Sequence, residues 1–526
     1  MGLDEQLREL TGTEIRSDDG RPDRRLAGGP PVEAQWRPRV VVPHLRAVDA
    51  VPVRCLARRQ QEVDRRARRS LPRCRDGGPP RLAVAAALGM GLEIEEAGDV
   101  LGSQVAGSQV VGWRLVVGGH LAIVTRLRED RGMRPLDGIT IVDLSQVVAG
   151  PFASQLLGEQ GAEVIKVEPL DGEILRVGDT EGVSVNFANF NRAKRSIALD
   201  LDTAEARAIV LELCERADVM IENFRPGVMD RLGLPIASLR RANPDLVTVS
   251  ITGFGPDGPH ASRPALDPVI QAHIGMVDGQ RSADLPFPDL VRTLVADKTT
   301  AYTAAQAITA ALFARERGGG AQHLDIPMID ATIAWYWPDG MSDHTGLGGQ
   351  PGGRICDLYQ LTPTADGQVV FYAAKIEHLV GLRRAVGRDD LADDPDYSTR
   401  GVLVAHPERA IDIWTAIGEG VASMSTDEAV ARVIEQHVPV GPVVSRAEVL
   451  DDPQLAHNGI LVEWEHPVAG PLRQTGPPVR FSDMPTPLVE QVPVLGEHTD
   501  EVLAELGRTA DEIAALRAAC AIAPAP

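Results

Sequence analysis

From residue 133 onward, apolar and polar positions fall into blocks that read in turn as strands and helices. GITIVDL (138–144) is a short apolar run suited to a buried strand, and the helix-like PFASQLLGEQG follows it. EVIKVEP (163–169) reads as the next strand, stopped by Pro169. In DTAEARAIVLELCERA (202–217), Ala206, Ile209, Val210 and Leu213 recur at helical spacing. DVMIENF and LVTVSITGFG read as further strands. The alanine-rich KTTAYTAAQAITAALFARER (298–317) predicts a long helix, stopped by glycines 318–320. Such alternation predicts an α/β fold of parallel βαβ units with helices on both faces of the sheet. Ligands of these sheets bind at the carboxyl ends of the strands, at a switch point.

The pattern also divides the chain. A large domain is expected over 133–337. After the glycine cluster GLGGQPGGR (346–354), strand–helix spacing restarts with DLYQL, QVVFYAA and a helix from about 406. A smaller α/β domain is therefore expected over 338–445. The chain turns loop-rich near 441 and ends in one helical segment, TDEVLAELGRTADEIAALRAAC, so 446–526 is expected to return to the large domain.

Residues 1–132 follow no such pattern. They hold 22 arginines, no lysine and 18 acidic residues, with Trp36 and Trp113 as the sole aromatics. Stretches such as RRARRSLPRCRDGGPPR bury too little apolar surface to offset the entropy of ordering. A basic arm, a small extra domain and a plain extension are the three readings. Interspersed acids such as Asp18, Asp19, Asp23, Glu62 and Asp64 weaken the first, and a poorly defined Arg-rich extension is favoured. Pattern quality improves so abruptly at Met133 that this methionine is a candidate natural start.

Charge and composition narrow the function. The 526 residues carry 53 Lys+Arg against 74 Asp+Glu, a formal net charge of −21. That balance argues against nucleic acid as a partner, since a duplex binder needs a basic face for the phosphates. Cysteines at 55, 74, 214, 356 and 520 form neither a disulfide framework nor a zinc spacing, so no metal is expected. The charged start MGLDEQLREL is no signal peptide. Arg114 and His120 interrupt the best apolar run, 109–125, so no membrane span is expected and a cytoplasmic protein is. The first strand is followed by SQVVAGP rather than GxGxxG, and Walker A, HExxH and GxSxG motifs are missing. Asp297 stands directly before KTTAYTAAQ, where an aspartate is a favoured helix N-cap.

Several stretches together resemble the family III CoA-transferases, the group of formyl-CoA transferase, carnitine CoA-transferase and α-methylacyl-CoA racemase. They are PLDGITIVDLSQVVAGPFASQLLGEQGAEVIKVEP (135–169), NRAKRSIALDL (191–201), ADVMIENFRPGVMDRLGL (217–234), SITGFGPDGP (250–259) and the segment 293–331 around LVADKTT. VLDDPQLAHNGILVEWEHP and LGEHTDEVLAEL complete an ordered set through nearly all of 133–526. The resemblance implies a Rossmann-like large domain with a parallel sheet, a smaller α/β domain, and an interlocked homodimer.

The resemblance also implies the chemistry. Asp297 matches the family's catalytic aspartate, which attacks an acyl-CoA thioester to give a mixed anhydride and then an aspartyl-CoA thioester. The substrates are then a coenzyme A thioester and a carboxylic acid, and no permanently bound cofactor is needed. Gly346, Gly348 and Gly349 resemble a glycine loop that covers the reacting centre, with Leu347 interrupting the run. The positions matching the family's CoA contacts are Val147, Ala149, Leu199, Asn223, Phe224, Val228 and Arg231, with Lys194, Arg195 and Arg225 as further phosphate candidates. Asp202 stands where formyl-CoA transferase has a basic residue and Pro169 replaces an arginine, so phosphate contacts are rearranged. In the racemase branch a His precedes an Asp; here PALDPVIQA has Leu266 before Asp267, which favours the transferase over the racemase, with a non-catalytic CoA-binding protein as a third reading. Trp335, Tyr336, Trp337 and Tyr359 are candidates for an acyl pocket, although buried core is the commoner fate of such residues.

Overall fold

The computed structural model describes residues 109–117, 120–128, 133–177, 183–281, 289–348, 354, 356, 359–397, 399–484 and 491–524. These form two compact units, one spanning Gln360–Val443 and the other taking the remaining described residues. Most of the Arg-rich extension lies outside the described residues. Its described part is an antiparallel pair, β1 (Gln109–Val117) and β2 (His120–Arg128), paired from Gln109–Arg128 to Val117–His120. The described residues of the apolar run at 109–125 are thus strand, and no helix among the described residues is long and apolar enough to cross a membrane.

The larger unit is built on a six-stranded parallel sheet. Its strands are β3 (Thr140–Asp143), β4 (Glu163–Glu168), β5 (Lys194–Ala198), β6 (Val219–Glu222), β7 (Val247–Thr252) and β8 (His323–Pro327), in the order β5-β4-β3-β6-β7-β8. The order reverses at β3, where β4 lies on one side and β6 on the other. Alternate residues serve opposite faces, as the pleat requires. Ile141, Ile221 and Val249 enter one core with α1 (Ala149–Gly158), whereas Val142, Leu144 and Met220 enter another with α2 (Ala204–Arg216). Thr203 caps α2 by accepting from Ala206 N, one residue inside the expected start.

Beyond β6 come α3 (Val228–Arg231) and α4 (Ile236–Ala242), and beyond β7 comes α5 (Asp267–His273). The long helix α6 (Val295–Ala314) begins three residues before the expected 298. It ends in a π turn, Arg315–Gly319, where Gly318 takes φ +84° and Gly320 +70°, values that glycine adopts without a side-chain clash. The following helix is α7 (Met328–Gly340).

The smaller unit packs α8 (Ile376–Ala385), α9 (Pro407–Ala422) and α10 (Thr426–Glu435) around a short antiparallel sheet, β11-β10-β9. Its strands are β9 (Thr362–Pro363), β10 (Gln368–Phe371) and β11 (Val440–Pro442). Of the strand expected at DLYQL, residues 357–358 lie outside the described residues and 359–361 are not strand; the two-residue β9 follows them.

Two features of the C-terminal part differ from the sequence pattern. The loop-rich stretch contains a hairpin, β12 (Leu461–His466) and β13 (Gly470–Thr475), whose Trp464 and Leu472 pack with Phe187. The single terminal helix is two, α11 (Thr499–Glu505) and α12 (Ala510–Ala518), separated where Gly507 takes φ +93°. Val502, Leu503, Ile513 and Ile522 pack into the α2 side of the large sheet, and Leu199 bridges to Ile522.

Candidate active site

Asp297 lies in the first turn of α6, 6% exposed. It does not cap the helix. Asp267, at the start of α5, takes that role: its Oδ2 accepts from Ala296 N (2.7 Å) and Asp297 N (3.0 Å), and its Oδ1 accepts from Gln271 Nε2 (2.6 Å). The residue-level expectation that Asp297 is an N-cap is therefore corrected, because a carboxylate from another helix already occupies those amides. The Asp297 carboxylate accepts no hydrogen bond from the described residues. Burial, reinforced by the negative charge of Asp267, pushes its pKa up to about 7. The arrangement is a desolvated carboxylate with no hydrogen bond from the described residues, its pKa raised toward neutrality, on a helix packed against α1 through Ala149, Ala153, Ala296 and Ala301.

A groove of about 420 Å³ opens at the carboxyl ends of the central strands, at the reversal in strand order. Leu144, Gln146, Leu199, Phe224, Val228 and Leu232 supply much of its lining. Of the residues matched to CoA contacts, Leu199, Phe224 and Val228 thus line one groove. Val147, Ala149, Asn223 and Arg231 do not line it directly. Asn223 holds the loop beneath it, accepting from Gln146 N (2.8 Å) and donating to Gln146 O (2.7 Å). Val147 takes φ +66°, a strained conformation for a β-branched residue. Ala149 is buried at the first turn of α1.

The phosphate candidates separate clearly. Arg225 and Arg231 are exposed and make no ion pair among the described residues. Lys194 is fully buried, donating to Asp143 Oδ2 (3.0 Å), Asn191 Oδ1 (2.8 Å) and Pro151 O (2.8 Å). Arg195 is tied to Glu163, Glu501 and Glu505. Neither side chain is available to a phosphate, and both are corrected to structural roles. Pro169 and Asp202 line the groove, as do Asp171 and Asp200. Its wall is therefore more acidic than the family pattern implies.

Gly348 is exposed beside the fully exposed Leu347, with open space where a Cβ would stand and no positive φ. Neither close approach nor backbone strain requires glycine there in this state. Gly349 lies outside the described residues. Trp335, Trp337 and Tyr359 are exposed and only Tyr336 is buried, so burial in a core is not the fate of three of these aromatics. None of the four lines the groove. Among the described residues no three His, Cys, Asp or Glu side chains gather as a metal ion would need.

The chain is thus an α/β protein with a groove at the switch point of its parallel sheet and, outside that groove's lining, a desolvated carboxylate on α6. Residues 136–499 match CoA-transferase family III, and the chain belongs to that family. The chain is similar to succinyl-CoA:mesaconate CoA-transferase of Haloarcula hispanica, 35% identical over 71% of this chain and 97% of the relative. It is also similar to formyl-CoA:oxalate CoA-transferase of Escherichia coli O157:H7, 32% identical over 73% of this chain and 98% of the relative. Among solved structures, a CaiB/BaiF family protein from Brucella suis matches with TM-score 0.62, 32% identity and coverage of 71% of this chain and 99% of that one. The family match begins just before β3, the first strand of the large sheet. The protein is a CoA-transferase of family III acting on CoA thioesters.

Proposed function

We propose that the protein moves CoA from an acyl-CoA donor to a carboxylic acid acceptor through covalent intermediates on Asp297. The observation that carries this reading is the buried Asp297 carboxylate, free of hydrogen bonds from the described residues and raised to about 7. A carboxylate stripped of water and hydrogen bonds is a stronger nucleophile than one in solution, and covalent catalysis divides the exchange into lower steps.

A carboxylate oxygen of Asp297 attacks the thioester carbonyl carbon, and the C–S bond breaks to release CoA thiolate. The resulting mixed anhydride is attacked at the Asp297 carboxyl carbon by that thiolate, which expels the donor acid as its carboxylate. The acceptor carboxylate attacks the aspartyl thioester and again releases CoA thiolate. The thiolate then attacks the acceptor's acyl carbon in the second anhydride, yielding the new acyl-CoA and free Asp297. No net proton, electron or metal is needed. Phe224, Leu199 and Val228 pack the CoA, while Arg231 and Arg225 remain to meet its phosphates. Gly346 and Gly348, both exposed, are the candidates to supply adaptable backbone amides to the reacting acyl group.

The same fold supports a racemase, and one observation favours the transferase over it. Asp267 Oδ2 is engaged by the start of α6 and Oδ1 by Gln271 of α5, and its neighbour Leu266 cannot carry a proton, so neither residue of this pair offers a free second base at the α-carbon. An interlocked homodimer is part of the proposal, supported by exposed Tyr302, Phe313, Trp335 and Trp337 on α6 and α7, an apolar surface that a partner would cover.

The test is a screen of acyl-CoA donors against carboxylate acceptors with Asp297→Ala as control, plus hydroxylamine trapping. Exchange that depends on Asp297, with an Asp297 hydroxamate, supports the reading. Exchange unaffected by Asp297→Ala refutes it. Incorporation of α-deuterium from D2O without an acceptor acid establishes the racemase instead.

A further inference from the structure

We propose that Glu173 is a positioning residue that holds the 145–149 loop, through Val147, in the shape that receives CoA. The proposal rests on the reading that this loop borders the CoA groove, to which Leu144 and Gln146 contribute.

The loop's backbone is gripped almost completely by buried side chains. Ser145 N donates to Asp143 Oδ1 (2.9 Å), and Ser145 O accepts from Lys166 Nζ (3.0 Å). Both backbone groups of Gln146 bond to Asn223. Val147 N donates to Glu173 Oε2 (3.1 Å). The next residues open α1, which starts without a side-chain cap. The loop is thus fixed from four separate places in the chain, immediately before a helix start at the groove.

Glu173 is the junction of this grip. Its Oε2 also accepts from Lys166 Nζ (3.3 Å), and its Oε1 accepts from Asn191 Nδ2 (3.2 Å). The Lys166 and Glu173 side chains are both 0% exposed. Three donors therefore converge on one carboxylate, and no water is needed to satisfy it. Glu173 is itself pinned by the turn Ile174–Arg176, with Arg176 N donating to Glu173 O (2.9 Å). Arg176 clamps Glu168 through two bonds (2.6 and 2.7 Å) and lies 3.6 Å over the Phe187 ring.

The reason for this grip is the strain at Val147. A valine at φ +66° reverts to negative φ unless its surroundings over-determine it. Replacing a buried ion pair by well-packed apolar residues often costs nothing in stability. Here Asp143, Lys166 and Glu173 all bond to the same short loop. Glutamine at 173 removes the charge that holds Lys166 and presents an NH2 where three donors meet, so either Asn191 Nδ2 or the Val147 N–Lys166 pair is repelled and the grip on the loop loosens. Aspartate keeps the charge for Lys166 but is one methylene too short for Val147 N.

The experiment compares full-length parent, Glu173→Gln and Glu173→Asp. Calorimetry measures the Kd of free coenzyme A, melting checks folding, and the exchange assay gives the KM of the thioester and of the acceptor acid. Either folded variant is expected to weaken CoA binding and raise the thioester KM about tenfold, with the acceptor KM within twofold. Adding Val147→Gly to Glu173→Gln is expected to recover at least threefold of the lost affinity, because glycine holds positive φ unaided. CoA affinity within twofold of the parent in either folded variant overturns the proposal. So does an equal rise in both KM values, which marks a merely structural role. If Asp297→Ala retains exchange while these Kd differences persist, the reaction proposed above falls and the positioning role stands.

Discussion

Replacing Asp297 by asparagine removes the proposed nucleophile and, at neutral pH, also removes a source of instability. Folding places this carboxyl beside Asp267 and out of water, raising its pKa to about 7, whereas an unfolded aspartate titrates near 3.9. The unfolded chain therefore gives up the proton first. The group's favourable contribution is fully present below about pH 4, declines as pH rises toward 7, and is lost above it. Three pKa units at 1.36 kcal/mol each set the total near 4 kcal/mol, of which about 3 kcal/mol falls between pH 4.5 and pH 8. The asparagine variant carries no charge at this position, so its stability lacks this slope. The amide leaves its own polar atoms unbonded at every pH, which shifts the whole curve without tilting it. Urea unfolding of parent and Asp297→Asn at both pH values reads the difference. The variant is expected to gain about 3 kcal/mol on the parent between pH 4.5 and pH 8, while exchange activity is abolished. A stability difference that is the same at both pH values refutes the assignment of a desolvated, raised carboxyl.

Four further outcomes follow from the same geometry. Asp267→Asn removes the charge facing Asp297, so the acid limb of the exchange pH profile moves to lower pH, while the weakened cap of α6 costs about 1 kcal/mol in unfolding. Phe224→Ala strips an aromatic wall from the groove and raises the Kd of CoA about tenfold by calorimetry. Arg231→Ala weakens CoA binding most at low salt and flattens its salt dependence, as loss of an exposed charge contact should. Gly420→Ala places a methyl 2.4 Å from Val386 Cβ between α9 and the end of α8, and destabilises the smaller unit by about 1–3 kcal/mol in thermal melts.

The ordered strands and helices of the large sheet were legible because each carries its own period. Ile141 and Val142 alternate across the sheet, and the α2 residues Ala206, Ile209, Val210 and Leu213 return to one face. The β12–β13 hairpin was not, because LVEWEH is short and interrupted by acids, and its burial depends on Phe187, far away in sequence. The segment TDEVLAELGRTADEIAALRAAC read as one helix, yet the positive φ of Gly507 breaks it. Asp297 was marked by resemblance alone; its residue-level reading as a cap failed because Asp267 supplies the cap from 30 residues earlier. Lys194 and Arg195 looked like phosphate ligands, since a sequence shows a charge but not whether another charge has already claimed it.

Local sequence thus determined where the strands and helices of the large sheet form, since periodicity and turn chemistry act over a few residues. Its family resemblance also determined which aspartate to test. Only the tertiary structure decided that Asp297 is desolvated, that Asp267 rather than Asp297 caps the start of α6, and that a strained valine bonds to Glu173. Desolvation and charge pairing depend on groups tens of residues apart, and no local pattern records who their partners are.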